Sequence, residues 1–528
     1  MGCIKRGVRA AFASLALGAL FALATPAAAK DCSEIARLQL DHGKVTSAEL
    51  VAAGAFKAPP LPFGPPPGVA GSPFDHLPAF CRVQATLTPT SDSDIKVEVW
   101  LPAENWNGKY VGLGNGIWAG QLSITQIPDP LSRGYAVATT DTGHTGTGMS
   151  GKFAVGHPEK LVDFGYRAVH LTAVTAKAVI EDFYGRKAEA SYWTSCSTGG
   201  RQGLMEAYRY PADYDFISAM AAANPMTDLM TQSMYAGFQP RPPKGQQLTA
   251  PLLMLMHQNV LKECDKLDGL EDGIIANPEA CHYDPAQMQC RPGEKDNCLT
   301  SGQVAVARAI YDGVRDPVNG AQILPGWPRG AEVQLAMLVS GKTPFPVAFS
   351  YFKDLVHGAD PKWDWTKMDF AREPYIARAF GAKILDVPSD GLGPFFARGG
   401  HLLLSHGWTD GLIPPSHTVD FYRGLYHSLP ASEAQSQLRL FMIPGMNHCG
   451  GGEGATEWSP LSVIEQWAAS GQAPNRIVAN RGGPGGMPGA PKLPPLSRPL
   501  CPYPLMPHYK GSGREDDAAN FSCEAAPK

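Results

Sequence analysis

Residues 190–210 read ASYWTSCSTGGRQGLMEAYRY, and this stretch decides the fold. Its first part, residues 190–194, predicts a short strand, and residues 202–210 have the spacing of a helix. Residues 195–200, which follow the strand, are small and suit a sharp turn. A strand, a tight turn and a helix in this order form a nucleophile elbow, which lifts a serine hydroxyl above the edge of a sheet and directs helix amides towards it. Ser197 is therefore the candidate nucleophile.

The elbow departs at one position from the usual G-x-S-x-G pattern, because Ser195 stands where the first glycine is expected. A small side chain still fits there, and Gly199 and Gly200 allow the following helix to pack closely. For this segment alone, a Ser/Thr/Gly turn without chemistry is the alternative interpretation.

Strand-like and helical segments alternate on both sides of this turn. Residues 161–184 have helical periodicity and end at Gly185, which suits a helix C-cap. Short runs rich in β-branched and aromatic residues or in leucine predict further strands at residues 95–101, 110–113, 135–139, 401–406 and 438–443. This alternation is typical of an α/β fold, in which helices cover a mostly parallel sheet.

The alternation stops between residues 225 and 394. This stretch contains four cysteines, an acidic cluster and many aromatic residues. We interpret it as an inserted second domain, because a chain of this length is too long for one simple core. An insertion at this place is where a lid over an active site would be built.

Two further candidates follow two of the predicted strands. Asp410 lies just beyond the predicted strand at residues 401–406 (HLLLSH), and His448 lies just beyond the one at residues 438–443 (LRLFMI). Taken singly, an aspartate before Gly411 is often a turn residue, and a histidine after a strand is often structural. Downstream of the elbow, however, the order serine, aspartate, histidine is that of the catalytic triad in α/β-hydrolases. The pair therefore indicates an acid that orients a base.

A triad also needs amides that stabilise the oxyanion. The backbone N–H of Thr198, the residue after the nucleophile, is the first candidate. Gly116 is the second, because the loop Gly-Asn-Gly at residues 114–116 follows the early strand KYVGL. A tight turn without such a role is the alternative for this loop.

The first 29 residues have the pattern of a secretory signal peptide. Lys5, Arg6 and Arg9 precede an apolar run of about 15 residues, and Ala27-Ala28-Ala29 supplies small residues for cleavage. This run is shorter than the roughly 20 residues that span a bilayer, which leaves a membrane anchor as the alternative. We expect a soluble protein that is secreted or periplasmic.

The cysteine content agrees with an oxidising compartment. Of 11 cysteines, Cys3 leaves with the signal, and an even number in an exported chain suggests five disulfides. If Cys196 and Cys449 are bonded, Ser197 and His448 lie close together. The sequence does not fix the connectivity, and free buried thiols are the alternative. The order favours the local pairs Cys32–Cys81, Cys264–Cys281, Cys290–Cys298 and Cys501–Cys523, which leaves Cys196 and Cys449.

The charge of the chain disfavours two classes of partner. Removal of Lys5, Arg6 and Arg9 from the 45 lysines and arginines leaves 42 basic residues against 49 acidic ones, a formal charge of −7. The basic residues are not clustered. We therefore expect neither nucleic acid nor an anionic membrane surface as a partner.

An acidic cluster lies in the inserted segment, in CDKLDGLEDGI at residues 264–274. Asp265, Asp268 and Asp272, with two glycines for tight turns, suit calcium, which prefers six to eight oxygen ligands. The spacing does not fit an EF-hand loop, because Leu267 stands at the second acidic position of that motif. An acidic solvated turn is the alternative.

Three motifs together resemble those of the tannase and feruloyl esterase family. They are CSTGGRQG from Cys196, HGWTD from His406 with IPP from Ile413, and PGMNHCGG from Pro444. The resemblance extends over nearly all of the chain after the signal, up to the closing segment that begins CPYP at Cys501. It implies an α/β-hydrolase core with a large inserted lid domain.

The resemblance also implies roles for the candidate residues. Ser197, Asp410 and His448 form the triad, and the amides of Gly116 and Thr198 form the oxyanion hole. A disulfide joins Cys196 to Cys449, next to the serine and the histidine. The lid carries a structural calcium ion, whose implied ligands are the side chains of Asp265, Asp268 and Asp272 and the carbonyls of Leu270 and Ile274.

The implied organisation has four parts. They are a signal peptide at residues 1–29, the first part of the hydrolase core at 30–224, the lid with its calcium site at 225–394, and the second part of the core at 395–528. The implied function is that of a secreted serine carboxylic ester hydrolase. It would cleave feruloyl or other hydroxycinnamoyl esters, or galloyl esters, through an acyl-enzyme.

Other functions stay open. Hydrolysis of mono(hydroxyethyl) terephthalate is the alternative within the family. Its free carboxylate would need an arginine clamp, and residues 344–356 contain only one cation, Lys353, which disfavours this alternative. A non-catalytic hydrolase-fold binding protein and a peptidase are alternatives of other classes. The sequence does not indicate the oligomeric state. Aromatic lid residues are candidates for the acyl pocket or for the lid's own core: Phe345, Phe349, Tyr351, Phe352, Trp363 and Trp365.

Overall fold

The computed structural model describes Gly2 and residues 30–59, 72–239, 246–481 and 493–525. The predicted signal peptide, apart from Gly2, lies outside these residues. Among them, no helix combines the length and the apolar character that crossing a membrane requires.

Sixteen strands lie in the described part of the chain. Ten of them form one central sheet in the order β1-β2-β3-β4-β6-β5-β7-β8-β11-β12, and three further pairs are β9-β10, β13-β14 and β15-β16. Their bounds in chain order are β1 (Gln39–Leu40), β2 (Gly43–Val51), β3 (Phe80–Leu87), β4 (Ile95–Pro102), β5 (Lys109–Leu113), β6 (Ala136–Thr140), β7 (Ala190–Cys196), β8 (Phe216–Met220), β9 (Val314–Arg315), β10 (Gln322–Leu324), β11 (His401–Gly407), β12 (Leu438–Ile443), β13 (Ile477–Arg481), β14 (Leu496–Leu500), β15 (Leu505–Tyr509) and β16 (Phe521–Ala525).

Fourteen α-helices lie in the same described residues. The predicted helix at residues 161–184 is confirmed as α2, a π-helical segment at Asp163–Arg167 and α3, which ends at Gly185 in the left-handed conformation (φ 68°). The helices are α1 (Pro128–Ser132), α2 (Pro158–Val162), α3 (Ala168–Tyr184), α4 (Thr198–Arg209), α5 (Met226–Phe238), α6 (Ala250–Cys264), α7 (Ser301–Asp312), α8 (Glu332–Val339), α9 (Pro346–Ser350), α10 (Glu373–Leu385), α11 (Gly393–Ala397), α12 (Ser416–Ser428), α13 (Ala431–Gln437) and α14 (Pro460–Ser470).

The central sheet is mixed, and its parallel half carries the predicted site residues. Neighbouring strands from β6 to β12 in the sheet order pair in parallel, whereas the pairs before β6 are antiparallel. The carboxyl ends of parallel strands meet at one edge, where ligands bind in open α/β sheets. At this edge Gly116 follows β5, Ser197 follows β7, Asp410 follows β11 and His448 follows β12.

The sheet separates two apolar cores, because successive side chains on a strand point to opposite faces. Leu402 of β11 packs in the core beneath α3 and α4, whereas Leu403 packs in the core that contains Trp467 of α14. Strands that are buried on both faces favour apolar runs, and β11 has three successive leucines at Leu402, Leu403 and Leu404.

The inserted segment lies between two neighbouring strands of the sheet. Ile217 of β8 pairs with Leu402 of β11, although residues 221–400 separate these strands in the chain. The described residues of that stretch form α5 to α11 and the pair β9-β10, and they add no strand to the central sheet. They pack around an apolar core of their own, which includes Leu253, Val304 and Leu335. We call residues 225–394 the lid.

Five disulfides join the cysteines in the pairs that their order favours. Four of them link positions 8 to 49 apart, whereas Cys196 and Cys449 are 253 positions apart. The short-range bridges are Cys32–Cys81, Cys264–Cys281, Cys290–Cys298 and Cys501–Cys523.

Candidate active site

Ser197 occupies a strained turn between β7 and α4. Its backbone has a φ of 64° and a ψ of −125°, a region that residues with a side chain rarely adopt. Two hydrogen bonds hold this conformation: the Ser197 amide donates to the Met220 carbonyl (2.9 Å), and the Ser197 carbonyl accepts from the Ala223 amide (3.0 Å). Strained backbone of this kind is what a nucleophile elbow requires.

Close contacts explain why the two glycines that follow have no side chain. A Cβ on Gly199 would lie 2.0 Å from Ser195 Oγ, and one on Gly200 would lie 2.7 Å from the Met220 carbonyl oxygen. The small Gly199 thus leaves room for the serine that replaces the usual first glycine. Helix α4 begins at Thr198, four residues before the predicted start at Gln202, because the glycines themselves form its first turn.

Asp410 and His448, the predicted acid and base, are hydrogen-bonded to each other. Asp410 is fully buried, and His448 Nδ1 lies 2.7 Å from its Oδ2. The other oxygen, Oδ1, accepts hydrogen bonds from the amides of Leu412 (2.8 Å) and Ile413 (2.9 Å). With Nδ1 donating to Asp410, the Nε2 of His448 is the nitrogen that can take a proton from a serine hydroxyl.

A second histidine, His406, shares the same carboxylate. It is fully buried at the end of β11, and its Nε2 lies 3.1 Å from both Asp410 Oδ2 and the Ile413 carbonyl oxygen. Burial favours a raised pKa for the Asp410 carboxyl, but the charge of His448 and the hydrogen bonds from both histidines outweigh it. They hold the pKa of Asp410 well below its usual range, so the acid is ionised.

The disulfide between Cys196 and Cys449 connects the turn that carries Ser197 to the loop that carries His448. Its Cα atoms are 5.9 Å apart, and a ring nitrogen of His448 lies within 4.8 Å of both sulfur atoms. Ser197 and His448 each adjoin one end of this bridge. Within the described residues, no hydrogen bond joins Ser197 Oγ to His448, and such contacts are often long before substrate binds.

The segments that carry the two predicted oxyanion amides are in contact. Thr198 Oγ1 donates to the carbonyl of Ile117 (2.7 Å), which ties the loop of Gly116 to the first turn of α4. In the described part of the chain, neither the Thr198 amide nor the Gly116 amide has a protein acceptor. A Cβ on Gly116 would meet no atom within 4 Å, so this loop borders open space.

Asn115 and Gln202 hold that loop by reciprocal hydrogen bonds. The Asn115 amide donates to Gln202 Oε1 (3.0 Å), and Gln202 Nε2 donates to Asn115 Oδ1 (3.1 Å). Both side chains are buried. Neither these two residues nor His406 was a candidate from the sequence, although each lies inside a motif that contains one.

A sequence profile described as tannase and feruloyl esterase matches residues 81–524. The chain belongs to this family. The probable feruloyl esterase B-2 of Aspergillus terreus is 31% identical over 84% of this chain and 86% of that protein. The mono(2-hydroxyethyl) terephthalate hydrolase of Piscinibacter sakaiensis is 31% identical over 85% of this chain and 86% of that protein. The crystal structure of feruloyl esterase B from Aspergillus oryzae is 26% identical and superposes with a TM-score of 0.82 over 93% of this chain and 99% of that chain.

Membership in the tannase and feruloyl esterase family confirms the predicted α/β-hydrolase fold. It also confirms the class of reaction, because members of this family are carboxylic ester hydrolases and the matches cover most of the chain. The protein is a carboxylic ester hydrolase.

The aromatic candidates in the lid of this family member divide into two groups. Tyr351 and Phe352 are fully buried, and Tyr351 stacks on Trp118 of the oxyanion loop with ring centroids 6.1 Å apart. These two belong to the apolar core between lid and hydrolase core. The other four are partly buried and stay candidates for the acyl pocket: Phe345, Phe349, Trp363 and Trp365.

The acidic loop of the lid is closed by its own backbone amides. Asp265 accepts from the amide of Gly273 (2.9 Å), and Asp268 accepts from that of Leu270 (3.0 Å). Asp272 forms an ion pair with Arg498 of β14 at 2.5 Å. Burial raises the pKa of Asp265 and raises that of Asp268 to about 6, and the charges of neighbouring aspartates add to both shifts.

Two groups of three metal-ligating side chains converge within 4.8 Å in the described residues, and neither is this loop. One is the disulfide with His448, which has no free thiolate, and the other is His170 with Glu206 and Asp213. The oxygen donors of the acidic loop fit calcium by their chemistry. Binding would require its carboxylates to close in, with Asp272 shared between the ion and Arg498.

Proposed function

We propose that Ser197, His448 and Asp410 hydrolyse esters of aromatic acids through an acyl-enzyme. One observation carries the proposal. The bridge Cys196–Cys449 places a base that is already paired with a buried acid beside a serine on a nucleophile elbow. Proximity of this kind is the first requirement of a serine hydrolase.

The reaction begins when Ser197 Oγ attacks the ester carbonyl carbon and His448 Nε2 takes its proton. Asp410 stabilises the imidazolium that forms, and the amides of Thr198 and Gly116 stabilise the oxyanion of the tetrahedral intermediate. His448 then returns the proton to the leaving alcohol. Water, deprotonated by His448, resolves the acyl-enzyme and frees the acid.

The proposed acyl group is a hydroxycinnamate such as ferulate, or a gallate. The names of the relatives support an aromatic acid, and the partly buried lid aromatics Phe349 and Trp363 offer it a surface. Their ring centroids are 5.8 Å apart.

Mono(hydroxyethyl) terephthalate is the second candidate substrate. The relative from Piscinibacter sakaiensis favours it. Its free carboxylate would need a cation, and Lys353, the single cation of residues 344–356, lies 5.6 Å from the centroid of the Phe349 ring. Lys353 therefore lies against an aromatic face. Because this segment contains no arginine, it offers no bidentate clamp for a carboxylate.

A hydrolysis panel tests the proposal. Methyl ferulate, methyl gallate, chlorogenate, the terephthalate monoester and a peptide are each given to the wild-type enzyme and to Ser197→Ala. We expect hydrolysis of at least one aromatic ester that depends on Ser197, and none of the peptide. Absence of Ser197-dependent hydrolysis of every ester would overturn the assignment, and cleavage of the terephthalate monoester alone would replace the acyl group proposed.

Two further properties belong to the same proposal. The protein is exported by its signal peptide, which the five disulfides support because such bridges persist in oxidising compartments. A calcium ion would be held by the side chains of Asp265, Asp268 and Asp272 and the carbonyls of Leu270 and Ile274. It would brace the lid loop and take no part in the chemistry.

A further inference from the structure

A lid side chain contacts both the acid loop and the base loop. Gln334 lies in the first turn of α8, and its Oε1 accepts a hydrogen bond from the His448 amide (3.0 Å) and another from the Gly411 amide (3.0 Å). Gly411 follows the catalytic Asp410. In the described residues these two amides have no other acceptor. One oxygen, which has two lone pairs, therefore holds the two loops at a fixed distance from each other.

The acid loop also packs directly on the backbone of α8. A Cβ on Gly411 would lie 2.5 Å from the Leu335 amide nitrogen and 2.9 Å from the Ala331 carbonyl oxygen. A Cβ on Gly330, just before the helix, would lie 2.8 Å from Thr409 Cγ2. Because the backbone of Gly411 lies directly against that of α8, a displacement of α8 would displace the loop that carries Asp410.

A buried histidine makes a second connection between lid and base loop. His257 of α6 lies 2.9 Å from Glu332 of α8 through Nδ1 and 3.3 Å from Glu453 of the base loop through Nε2. Burial alone would lower the pKa of His257, but the two glutamates raise it to about 10. At neutral pH the imidazolium thus links the lid to the loop after β12, which contains both His448 and Glu453.

The oxyanion loop is connected to the lid as well. Trp118 Nε1 donates to the carbonyl of Val347 in α9 (3.1 Å), and Trp118 is fully buried. All three loops of the proposed active site thus contact the lid through buried or half-buried groups. Such contacts are typical of a rigid support.

We propose that Gln334 is a positioning residue for the reaction, and that the lid completes the triad by fixing the relative placement of Asp410 and His448. The inference rests on the triad proposed above. Gln334 acts through the two backbone amides and need not touch the substrate. Misplacement of catalytic groups by about 1 Å costs roughly a hundredfold in rate.

Four variants separate positioning from general stability of the lid. Gln334→Leu keeps the approximate volume and removes the acceptor, Gln334→Asn shortens its reach by one methylene, and Gln334→Glu keeps an acceptor at the original reach. Gln247→Leu is the matched control, because the Gln247 side chain donates to the Ser340 carbonyl (2.7 Å) within the lid. Folding is monitored by circular dichroism and by Tm.

The assay uses 4-nitrophenyl acetate, whose small acyl group depends little on lid side chains. We expect Gln334→Leu to lower kcat by about 10- to 100-fold with KM within about threefold, and Gln334→Asn to behave similarly. Gln334→Glu should recover most of kcat, and Gln247→Leu should match the wild type. The rate at which a fluorophosphonate modifies Ser197 should fall in parallel with kcat.

Unchanged kcat in folded Gln334→Leu would overturn the proposal, and so would an equal loss in Gln247→Leu. If Gln334→Leu does not fold, the comparison of Glu with Asn decides: equal kcat values in these two would overturn it. Wild-type enzyme and Ser197→Ala are measured in the same assay. Absence of Ser197-dependent turnover in the wild type would refute the proposed function itself, which is a different outcome.

Discussion

Removal of the bridge between the catalytic loops should reduce turnover and stability by separable amounts. The perturbation is the double variant Cys196→Ala, Cys449→Ala. In the chain-entropy description, a cross-link between positions 253 apart contributes about 5 kcal/mol to the free energy of unfolding. The same description gives about 3 kcal/mol for Cys501–Cys523, whose cysteines are 22 positions apart near the C-terminus.

The effect on catalysis comes from the base loop. Cys449 has a left-handed φ of 62°, which a residue with a side chain adopts only when its surroundings enforce it. Without the bridge this turn can relax, and His448 moves relative to Ser197. Asp410 and Gln334 still hold the histidine, so we expect kcat to fall by about 10- to 100-fold while KM changes by less than about threefold.

The assay compares kcat and KM for an aromatic ester, together with urea unfolding, in three proteins. These are the wild type, the Cys196/Cys449 double variant and the control Cys501→Ala, Cys523→Ala. The control should lose stability and keep its kcat. A folded Cys196/Cys449 variant with unchanged kcat would refute the positioning role, and equal stability losses in the two variants would refute the magnitude derived from loop length.

Three other changes have defined outcomes. In Asp410→Asn, the amides of Leu412 and Ile413 hold the remaining oxygen, so the side-chain NH2 faces His448 and favours the tautomer of His448 that cannot act as the base. We expect kcat to fall about 10⁴-fold with little change in KM. A loss below tenfold would contradict this geometry. Chelation by EGTA should lower the Tm of the wild type and of the control Asp316→Asn, but not that of Asp268→Asn; equal shifts in all three would exclude calcium at the acidic loop. Burial and the charge of Asp213 raise the pKa of Glu206 well above its usual value. The folded protein therefore holds a proton that the unfolded chain releases, and the free energy of unfolding falls as pH rises above about 4.5. Glu206→Gln should flatten the decline in Tm between pH 5 and pH 8, and an unchanged slope would show that Glu206 is ionised in the folded state.

Much of the fold and of the candidate site was predictable because both rest on local patterns. The elbow is recognisable from Ser197 and its two glycines, since only small residues fit where a strand turns sharply into a helix. Buried parallel strands such as β11 and β12 contain short apolar runs, LLL in β11 and LFMI in β12. Asp410 and His448 follow them directly, so the order of the triad is legible in the chain.

Contacts across the fold could not be predicted in the same way. The hydrogen bond from the His448 amide to Gln334 joins positions 114 apart, and no spacing rule relates a glutamine on a lid helix to a loop beyond β12. Gly411 resembled a turn glycine, although its lack of a side chain is needed for contact with α8. Strand β2 was missed because it is half exposed and contains polar residues, so its sequence has no apolar run.

The chain order of the cysteines has a consequence for biosynthesis. Four cysteines lie between Cys196 and Cys449, and the next cysteine to emerge after Cys196 is Cys264. Oxidation of cysteines in their order of emergence would therefore trap Cys196 with Cys264, and the native bond of Cys196 can then form only by thiol–disulfide exchange after Cys449 has arrived. Recombinant production in a host that oxidises thiols but does not isomerise disulfides should yield protein that is oxidised, monomeric in mass and inactive, and a disulfide isomerase supplied in trans should restore the active form.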